Sequence, residues 1–127
     1  MTTLTEGRHP GEVILREANG TRSRDNIIIP SGTGVVAAGT VLGAITAHPG
    51  MFVPSPAALT GGIEGAEVAK AINIHAVDAI DRDISVAALT RDAEVNGSCL
   101  VFEATVDDDT KKNTKAAQLA AVGLIVR

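Results

Sequence analysis

The residues best suited to chemistry are three histidines and one cysteine, and their spacing matches no catalytic or metal-binding motif. His9, His48 and His75 are far apart in the sequence, and no carboxylate or thiol stands near them at metal-ligand spacing. Cys99 lies in an apolar run, which indicates a buried structural thiol, and a single cysteine excludes an internal disulfide. We therefore predict no catalytic residue, no metal site and no cofactor, and the protein is not expected to be an enzyme.

Two groups of acidic residues invite a metal-binding interpretation that their surroundings do not support. Asp78, Asp81 and Asp83 resemble the start of a calcium loop, but the glycine and the distant glutamate of that loop are missing. The run of three aspartates at 107–109 stands before a helical pattern, where carboxylates cap the helix and complement its dipole. We interpret the first group as a solvated turn and the second as a helix cap.

A glycine-rich stretch, GTGVVA from Gly32 to Ala37, matches the G-x-G-x-x-A form of the dinucleotide-binding fingerprint. That fingerprint needs a helix after the glycines and an acidic residue roughly 20 positions further on. The residues that follow Gly34 are strand-like, and no acidic residue stands near the required place. The stretch is therefore predicted to be a turn.

The composition indicates one β-rich domain that is not dedicated to nucleic acid or to a membrane. The chain has 127 residues, of which 45% are hydrophobic but only 2% aromatic, so aliphatic side chains must fill the core. The net charge of -4 argues against binding to a phosphate backbone. The longest apolar run, Val35 to Ile45, is interrupted by glycines and is shorter than the roughly 20 residues of a membrane helix. No signal peptide is visible, and we expect a soluble protein.

The stretch from Gly11 to Pro30 is the segment around which the other elements are arranged. It contains two short apolar runs, Val13 to Leu15 and Ile27 to Ile29, separated by Asn19-Gly20. Because Asn-Gly accepts positive φ at little cost, the pattern predicts a hairpin between two strands. The ten residues before it have no apolar period and are predicted to be a mobile tail.

The remaining elements are mostly short strands followed by one helix. Strands are predicted within residues 35–45, 51–53, 69–78, 84–89 and 92–95, and a second hairpin at Asn96-Gly97 leads into residues 99–105. The helix is predicted from Asp107 to Ala121, with Ala116, Leu119 and Ala120 on its apolar face, and Gly123 ends it. A closing strand follows from Leu124 to Val126.

Four segments in this order resemble the bacteriophage lambda-like head decoration protein D family, the capsid-stabilising proteins. They are PGEVILREANGTRSRDNIII, AAGTVLGAI, TRDAEVNG, and the lysine-rich helix that runs into QLAAVGLIVR. The resemblance extends from about Pro10 to Arg127. It implies a mostly β fold, a β-clip-like small barrel or sandwich, with one short C-terminal helix and a flexible N-terminal arm.

The resemblance also implies a function and a division of the chain. Residues 1–30 would form the arm, partly disordered in the free protein, and residues 31–127 a compact trimerising domain. The homotrimer would sit at the three-fold sites of the expanded head, on the outer surface of the virion capsid, after synthesis in the host cytoplasm. There it would bind the phage major capsid protein and stabilise the head against DNA pressure.

The arm supplies the candidate binding residues. Its apolar runs have strand propensity, and an extended segment can add a strand to a partner. The two arginines between the runs would set spacing and orientation. The predicted contacts are Val13, Ile14, Leu15, Arg22, Arg24, Ile27, Ile28 and Ile29.

A second hypothesis is a small β-barrel carrier or an accessory subunit of an enzyme complex. The segment AAGTVLGAI also suits a turn and strand of the barrel domains that carry cofactors. Such a carrier needs an exposed lysine at a hairpin tip, in a Met-Lys or Asp-Lys context that this sequence lacks. A third hypothesis, a hydrolase on a related β fold, would require paired catalytic groups that the spacing does not provide.

Overall fold

The computed structural model of the protein describes residues 9–127. The described part contains ten strands, one α-helix (α1) and a short 3₁₀ helix, Gly97–Cys99. The strands are β1 (Ile14–Glu17), β2 (Arg24–Ile29), β3 (Gly34–Val36), β4 (Val41–Ala44), β5 (Phe52–Pro54), β6 (Ala69–Asn73), β7 (Val77–Ala79), β8 (Ile84–Leu89), β9 (Ala93–Val95) and β10 (Leu124–Val126), and α1 is Asp109–Ala121. The prediction of a mostly β fold with one C-terminal helix is confirmed.

The largest sheet has five strands in the order β2-β8-β6-β4-β5, and neighbouring strands are antiparallel. Its two outer strands approach each other at one point. Ile28 in β2 forms a bridge with Met51, just before β5, and the Ile28 amide donates to the Gly50 carbonyl at 2.9 Å. The sheet therefore curls until its edges meet, as in a small barrel.

Two smaller sheets cover the large one. β1, β9 and β10 form a three-stranded sheet in which β9 is central, antiparallel to β1 and parallel to β10. β3 and β7 form a two-stranded antiparallel ribbon. Both small sheets combine strands that are far apart in the sequence, so the fold closes only when both halves of the chain are present.

The core consists of aliphatic side chains, as the composition predicts. One cluster joins the three-stranded sheet to α1 and to the large sheet, with Val95, Leu119 and Leu124 fully buried in it. A second cluster, which includes Ile29 and Val36, lies between the large sheet and the β3-β7 ribbon. Cys99 is a buried free thiol in the first cluster, in agreement with its interpretation as structural.

The helix begins and ends almost where the sequence predicts. Asp108 is the N-cap, and its carboxylate accepts a hydrogen bond from the Lys111 amide at 2.8 Å. Gly123 follows the last turn with φ of +89°, a conformation that glycine adopts without strain. Leu119 anchors the apolar face. The fully buried Lys115 was not expected in this helix.

Both predicted hairpins are wrong. Gly20 has the positive φ that a tight turn requires, yet β1 pairs with β9 and β2 pairs with β8, so the turn connects two different sheets. At Asn96-Gly97 the chain enters the short 3₁₀ helix, because the Asn96 side chain accepts from the Ser98 amide and caps it.

The arm predicted at residues 1–30 consists of residues 1–8 and of a described part that contains strands β1 and β2. Residues 1–8, which make up most of the predicted mobile tail, lie outside the described part of the chain. Strands β1 and β2 belong to sheets that also contain strands from beyond residue 90 and residue 80 respectively. Partial disorder of the arm in the free protein stays a prediction.

Candidate functional site

The predicted apolar contacts of β1 and β2 divide into buried and exposed side chains. Val13, Ile27 and Ile29 are at most 3% exposed and belong to the core. Leu15 is 51% exposed and Ile28 is 39% exposed. Ile14 is half-buried. Among the six apolar residues, the structure therefore leaves Leu15 and Ile28 as the ones with substantial surface to offer a partner.

The two predicted arginines take part in ion pairs within the chain. Arg24 forms a two-pronged pair with Glu17, with distances of 2.6 Å from Nη2 to Oε1 and 3.0 Å from Nε to Oε2. The buried Ser23 hydroxyl donates to the same carboxylate at 2.6 Å, and the hydrogen bond from Arg24 holds the pKa of Glu17 below its ordinary value. Arg22 is more exposed and lies 3.3 Å from Asp92.

Arg91 is a residue of this region that the sequence pattern did not single out. Its guanidinium donates to the Arg22 carbonyl at 2.7 Å and forms an ion pair with Asp25. The hydroxyl of Thr90 also donates to Asp25, and these two partners lower the pKa of the Asp25 carboxyl. The crossover between β1 and β2 is thus fastened to the connection between β8 and β9.

β1 lies at the edge of its sheet, and this position makes it available for strand pairing. One side of its backbone pairs with β9, while no described strand pairs with the other side. The register shifts between Ile14 and Arg16, and the exposed Leu15 lies at that irregularity. An edge strand with an exposed apolar side chain can bind an extended segment of another protein.

The outer face of the same sheet is shallow and has paired charges. It forms an open depression of about 410 Å³, lined by residues that include Arg16 and Ile125. Arg127 donates to the Glu94 carboxylate at 2.7 Å across this face. Because most of its charged side chains are already paired within the chain, this face offers less to a charged partner than the edge of β1 does.

Most of the acidic residues considered for chemistry form hydrogen bonds within the chain. Among residues 9–127, no group of three potential ligands could hold a metal ion, and no helix is long and apolar enough to cross a membrane. Asp108 caps α1, and the neighbouring Asp107 pairs with Lys111 at 2.8 Å. Asp78 accepts a hydrogen bond from the Ile80 amide, as in an ordinary turn, and Asp83 accepts one from the Ser31 amide, which is distant in the sequence.

The positions of the lysines bear on the carrier hypothesis. A carrier presents its modified lysine at the tip of a hairpin, where an enzyme can reach it. The chain has four lysines: Lys70 lies within β6, and Lys111, Lys112 and Lys115 lie in α1. None of them occupies a turn, so the structure gives the carrier hypothesis no attachment point.

The fold and this surface define a small β-rich protein that offers an edge strand to a partner. The comparison with known families shows which family the chain belongs to. A model of the bacteriophage lambda head decoration protein D family matches residues 3–124, and the chain belongs to this family. The protein is therefore a phage head decoration protein, a structural component associated with the virion capsid. No curated protein matches the sequence.

Proposed function

We propose that the protein is a cement for the phage head. It binds as a homotrimer to the major capsid protein, at the three-fold sites on the outer surface of the expanded shell, and stabilises the shell against the pressure of packaged DNA. It is made in the host cytoplasm and joins the head after expansion. Family membership supports the head as the partner, and the observation that carries the binding mode is the edge strand β1 with its exposed Leu15.

The contact in this proposal is made by the exposed part of the predicted arm. A capsid segment pairs with the open side of β1 and covers Leu15. Burying a fully exposed leucine side chain contributes about 1.5 to 3 kcal/mol, and Leu15, which is already half-buried, contributes about half of that. Each main-chain hydrogen bond adds only about 0.5 to 1.5 kcal/mol net. Since ordering the partner's backbone costs about 1 to 2 kcal/mol per residue, a single copy binds weakly.

Trimerisation overcomes this weakness because it links three weak contacts. Once one copy of a trimer is bound, the other two bind within the same complex at a high effective concentration. Such linkage raises overall affinity by about 10² to 10⁴ without any new contact. A trimer also tethers three neighbouring capsid subunits together, which is the mechanical requirement for resisting outward pressure.

Leu15→Asp tests the contact, with Ile125→Asp as a matched control. Ile125 is 37% exposed and lies in β10, at the opposite edge of the same sheet. Co-sedimentation with expanded heads is expected to show at least about tenfold weaker binding for Leu15→Asp and wild-type binding for the control. Equal binding by wild-type protein and Leu15→Asp would exclude β1 as the contact, and failure of the wild-type protein to bind heads would refute the function itself.

The assembly state and the mechanical role have separate measurements. Light scattering on the free protein is expected to give three times the chain mass of 13.0 kDa. Electron microscopy of decorated heads is expected to show triplets of density at three-fold positions, and density at any other position would contradict the proposal. Heads packed with DNA should release it at a higher temperature when decorated than when bare.

A further inference from the structure

A second concave surface lies where β2 ends, away from the open side of β1. It is a groove of about 490 Å³ between the turn at residues 30–33, strand β5 and the loop that follows β5. Apolar groups dominate its lining, which includes Val53, Ile63 and the three prolines Pro30, Pro54 and Pro56. Because proline rings are rigid and lack an N–H group, these walls bind chiefly through apolar contact.

Of the hydroxyl groups that line the groove, those of the three threonines can accept hydrogen bonds but have no proton left to give, whereas that of Ser31 can do both. Three threonines line it, and each hydroxyl already donates within the chain: Thr33 to the Pro30 carbonyl at 2.7 Å, Thr60 to the Ala58 carbonyl at 3.0 Å, and Thr105 to the Glu103 carboxylate. The Thr105 hydroxyl also accepts from the Ala57 amide at 2.9 Å, and each of the three oxygens keeps at least one lone pair for a ligand. The groove therefore favours a ligand that brings its own N–H donors.

The charged residues around the groove also favour a ligand that carries N–H donors. Glu103 is the one charged residue in its lining, and both hydrogen bonds to its carboxylate, from the amide and hydroxyl of Thr105, use Oε2. The Oε1 atom of Glu103 makes no hydrogen bond within residues 9–127. On the other side of the 30–33 turn stand Asp81 and Asp83, and Asp83 accepts from the Ser31 amide at 2.7 Å. The buried ammonium of Lys115 interacts with Glu103 and offsets part of this charge, and Arg82 stands between the two aspartates. The surface keeps a net negative charge, which favours a cation over a phosphate or carboxylate.

The walls are held in place before any ligand arrives. The Gly32 amide donates to the carbonyls of Ala79 at 2.9 Å and Ile80 at 3.2 Å, which ties the 30–33 turn to the end of β7. On the opposite wall, the ammonium of Lys115 donates to the Pro56 carbonyl at 2.6 Å. Such a preorganised site loses little conformational entropy on binding.

Exposed apolar side chains continue beyond the groove. Leu59, next to Thr60, is 70% exposed; Val35 and Ile80, beside the 30–33 turn, are 71% and 53% exposed. They add exposed apolar side chains to the segments that flank the groove. Exposed apolar surface beside a groove is typical of a protein–protein contact.

We propose that this groove is a docking site for an extended segment of a partner protein in which an apolar side chain neighbours a lysine or arginine. The apolar side chain packs against the prolines and Ile63, and the cation binds the carboxylate of Glu103. Main-chain N–H groups of the segment donate to the threonine oxygens. This site is independent of the proposed head contact at β1, and each is read out in a different assay.

Selection from a random peptide library on the immobilised full-length chain tests the proposal. Thr60→Trp fills the groove, and Ala58→Trp, at an exposed position outside the lining, is the matched control. The enriched peptides are expected to combine leucine, valine or proline with lysine or arginine. They should bind wild-type protein and Ala58→Trp equally, and Thr60→Trp at least about tenfold more weakly.

Two charge-reversal variants distinguish a local effect of Glu103 from an effect of net charge. Glu103→Lys reverses the charge in the groove, whereas Glu64→Lys makes the same change in net charge outside the lining. Only Glu103→Lys is expected to weaken the selected peptides. Thermal unfolding of all four variants checks that they are folded.

Three outcomes would overturn the proposal. The first is the absence of enrichment or the enrichment of acidic peptides. The second is equal binding by both tryptophan variants. The third comes from light scattering: if Thr60→Trp dissociates an oligomer that Ala58→Trp retains, a second copy of the chain occupies the groove.

Discussion

Replacing Lys115 by methionine removes a buried ammonium group while keeping most of the length of the side chain. Lys115 is 2% exposed, and its Nζ donates to the carbonyls of Pro56 and Glu67, each at 2.6 Å, and to the Ser55 hydroxyl at 2.9 Å. The ammonium has three protons, and each has an acceptor. These three bonds join α1 to both ends of the loop between β5 and β6.

The structure gives the size of the expected loss. A hydrogen bond from a charged donor contributes about 1.5 to 3 kcal/mol, and the variant leaves two carbonyls without this donor. Part of the loss is offset because methionine does not carry the desolvation cost of a buried charge. Methionine and lysine have similar helix propensities. We expect Lys115→Met to lower the free energy of unfolding by about 2 to 4 kcal/mol.

Urea unfolding followed by circular dichroism is the suitable assay, because the chain has no tryptophan or tyrosine to report by fluorescence. Lys70→Met is the matched control, since Lys70 is exposed on β6. The control is expected to stay within about 0.5 kcal/mol of wild type. If Lys115→Met were equally close to wild type, the three bonds would not stabilise the fold, and the reasoning would be refuted.

The pH dependence gives a second check on the same group. Burial lowers the pKa of Lys115 below 10.5 in the folded protein, whereas the unfolded chain keeps its ordinary value. Between those two pKa values the unfolded state binds more protons, so the wild-type protein gains stability as pH rises. This gain is complete above 10.5 and is lost as pH falls through the folded pKa. We expect the free energy of unfolding of wild type, relative to that of Lys115→Met, to rise with pH in the same range. The other titrating groups are present in both proteins and cancel in this difference.

Two further predictions concern the fold. Gly43→Ala should lower the free energy of unfolding in urea by at least about 3 kcal/mol, since the added methyl group would lie 2.0 Å from the Ala66 carbonyl oxygen. Gly61→Ala is the control, because nothing lies within 4 Å of the added methyl group, and it should change stability by less than about 1 kcal/mol. Similar losses in both variants would contradict the argument. Asp108→Ala should cost about 0.5 to 2 kcal/mol in thermal unfolding through loss of the bond to the Lys111 amide, whereas Asp108→Asn should retain the cap; an equal loss in both would point to charge instead.

The helix and most strands could be predicted because their signals are local. Three aspartates before an amphipathic pattern and a glycine after it define α1 to within two residues of its start. The apolar run at Ile27 to Ile29 is a strand, and it alternates buried, exposed and buried as a strand does. The same alternation explains why only Ile28 of this run reaches the surface.

The pairing of strands could not be predicted from turn chemistry. Asn19-Gly20 determines the backbone angle at Gly20, but it does not determine which strand lies next to β1. The crossover is held instead by Arg91 and Asp92, which are distant in the sequence and have ordinary local surroundings.

The buried Lys115 and the groove also depend on residues that are distant in the sequence. A lysine in a helix is normally solvated, and the burial of Lys115 depends on carbonyls of the loop after β5. The groove draws its lining from four separate parts of the chain, and no sequence motif connects them. Such features have no sequence period and become visible only in three dimensions.

The pairing of early strands with late ones affects how the protein acquires its binding edge. Ile14 pairs with Val95, and Arg24 pairs with Leu89, so β1 and β2 must wait for β8 and β9. Sheets with such long-range pairing fold in milliseconds to seconds, because a large loop closes before any contact forms. A chain that has not completed its fold therefore cannot present Leu15 on a formed edge. Under the proposed head contact at β1, we expect folding to act as a checkpoint for assembly that keeps incomplete chains out of the shell.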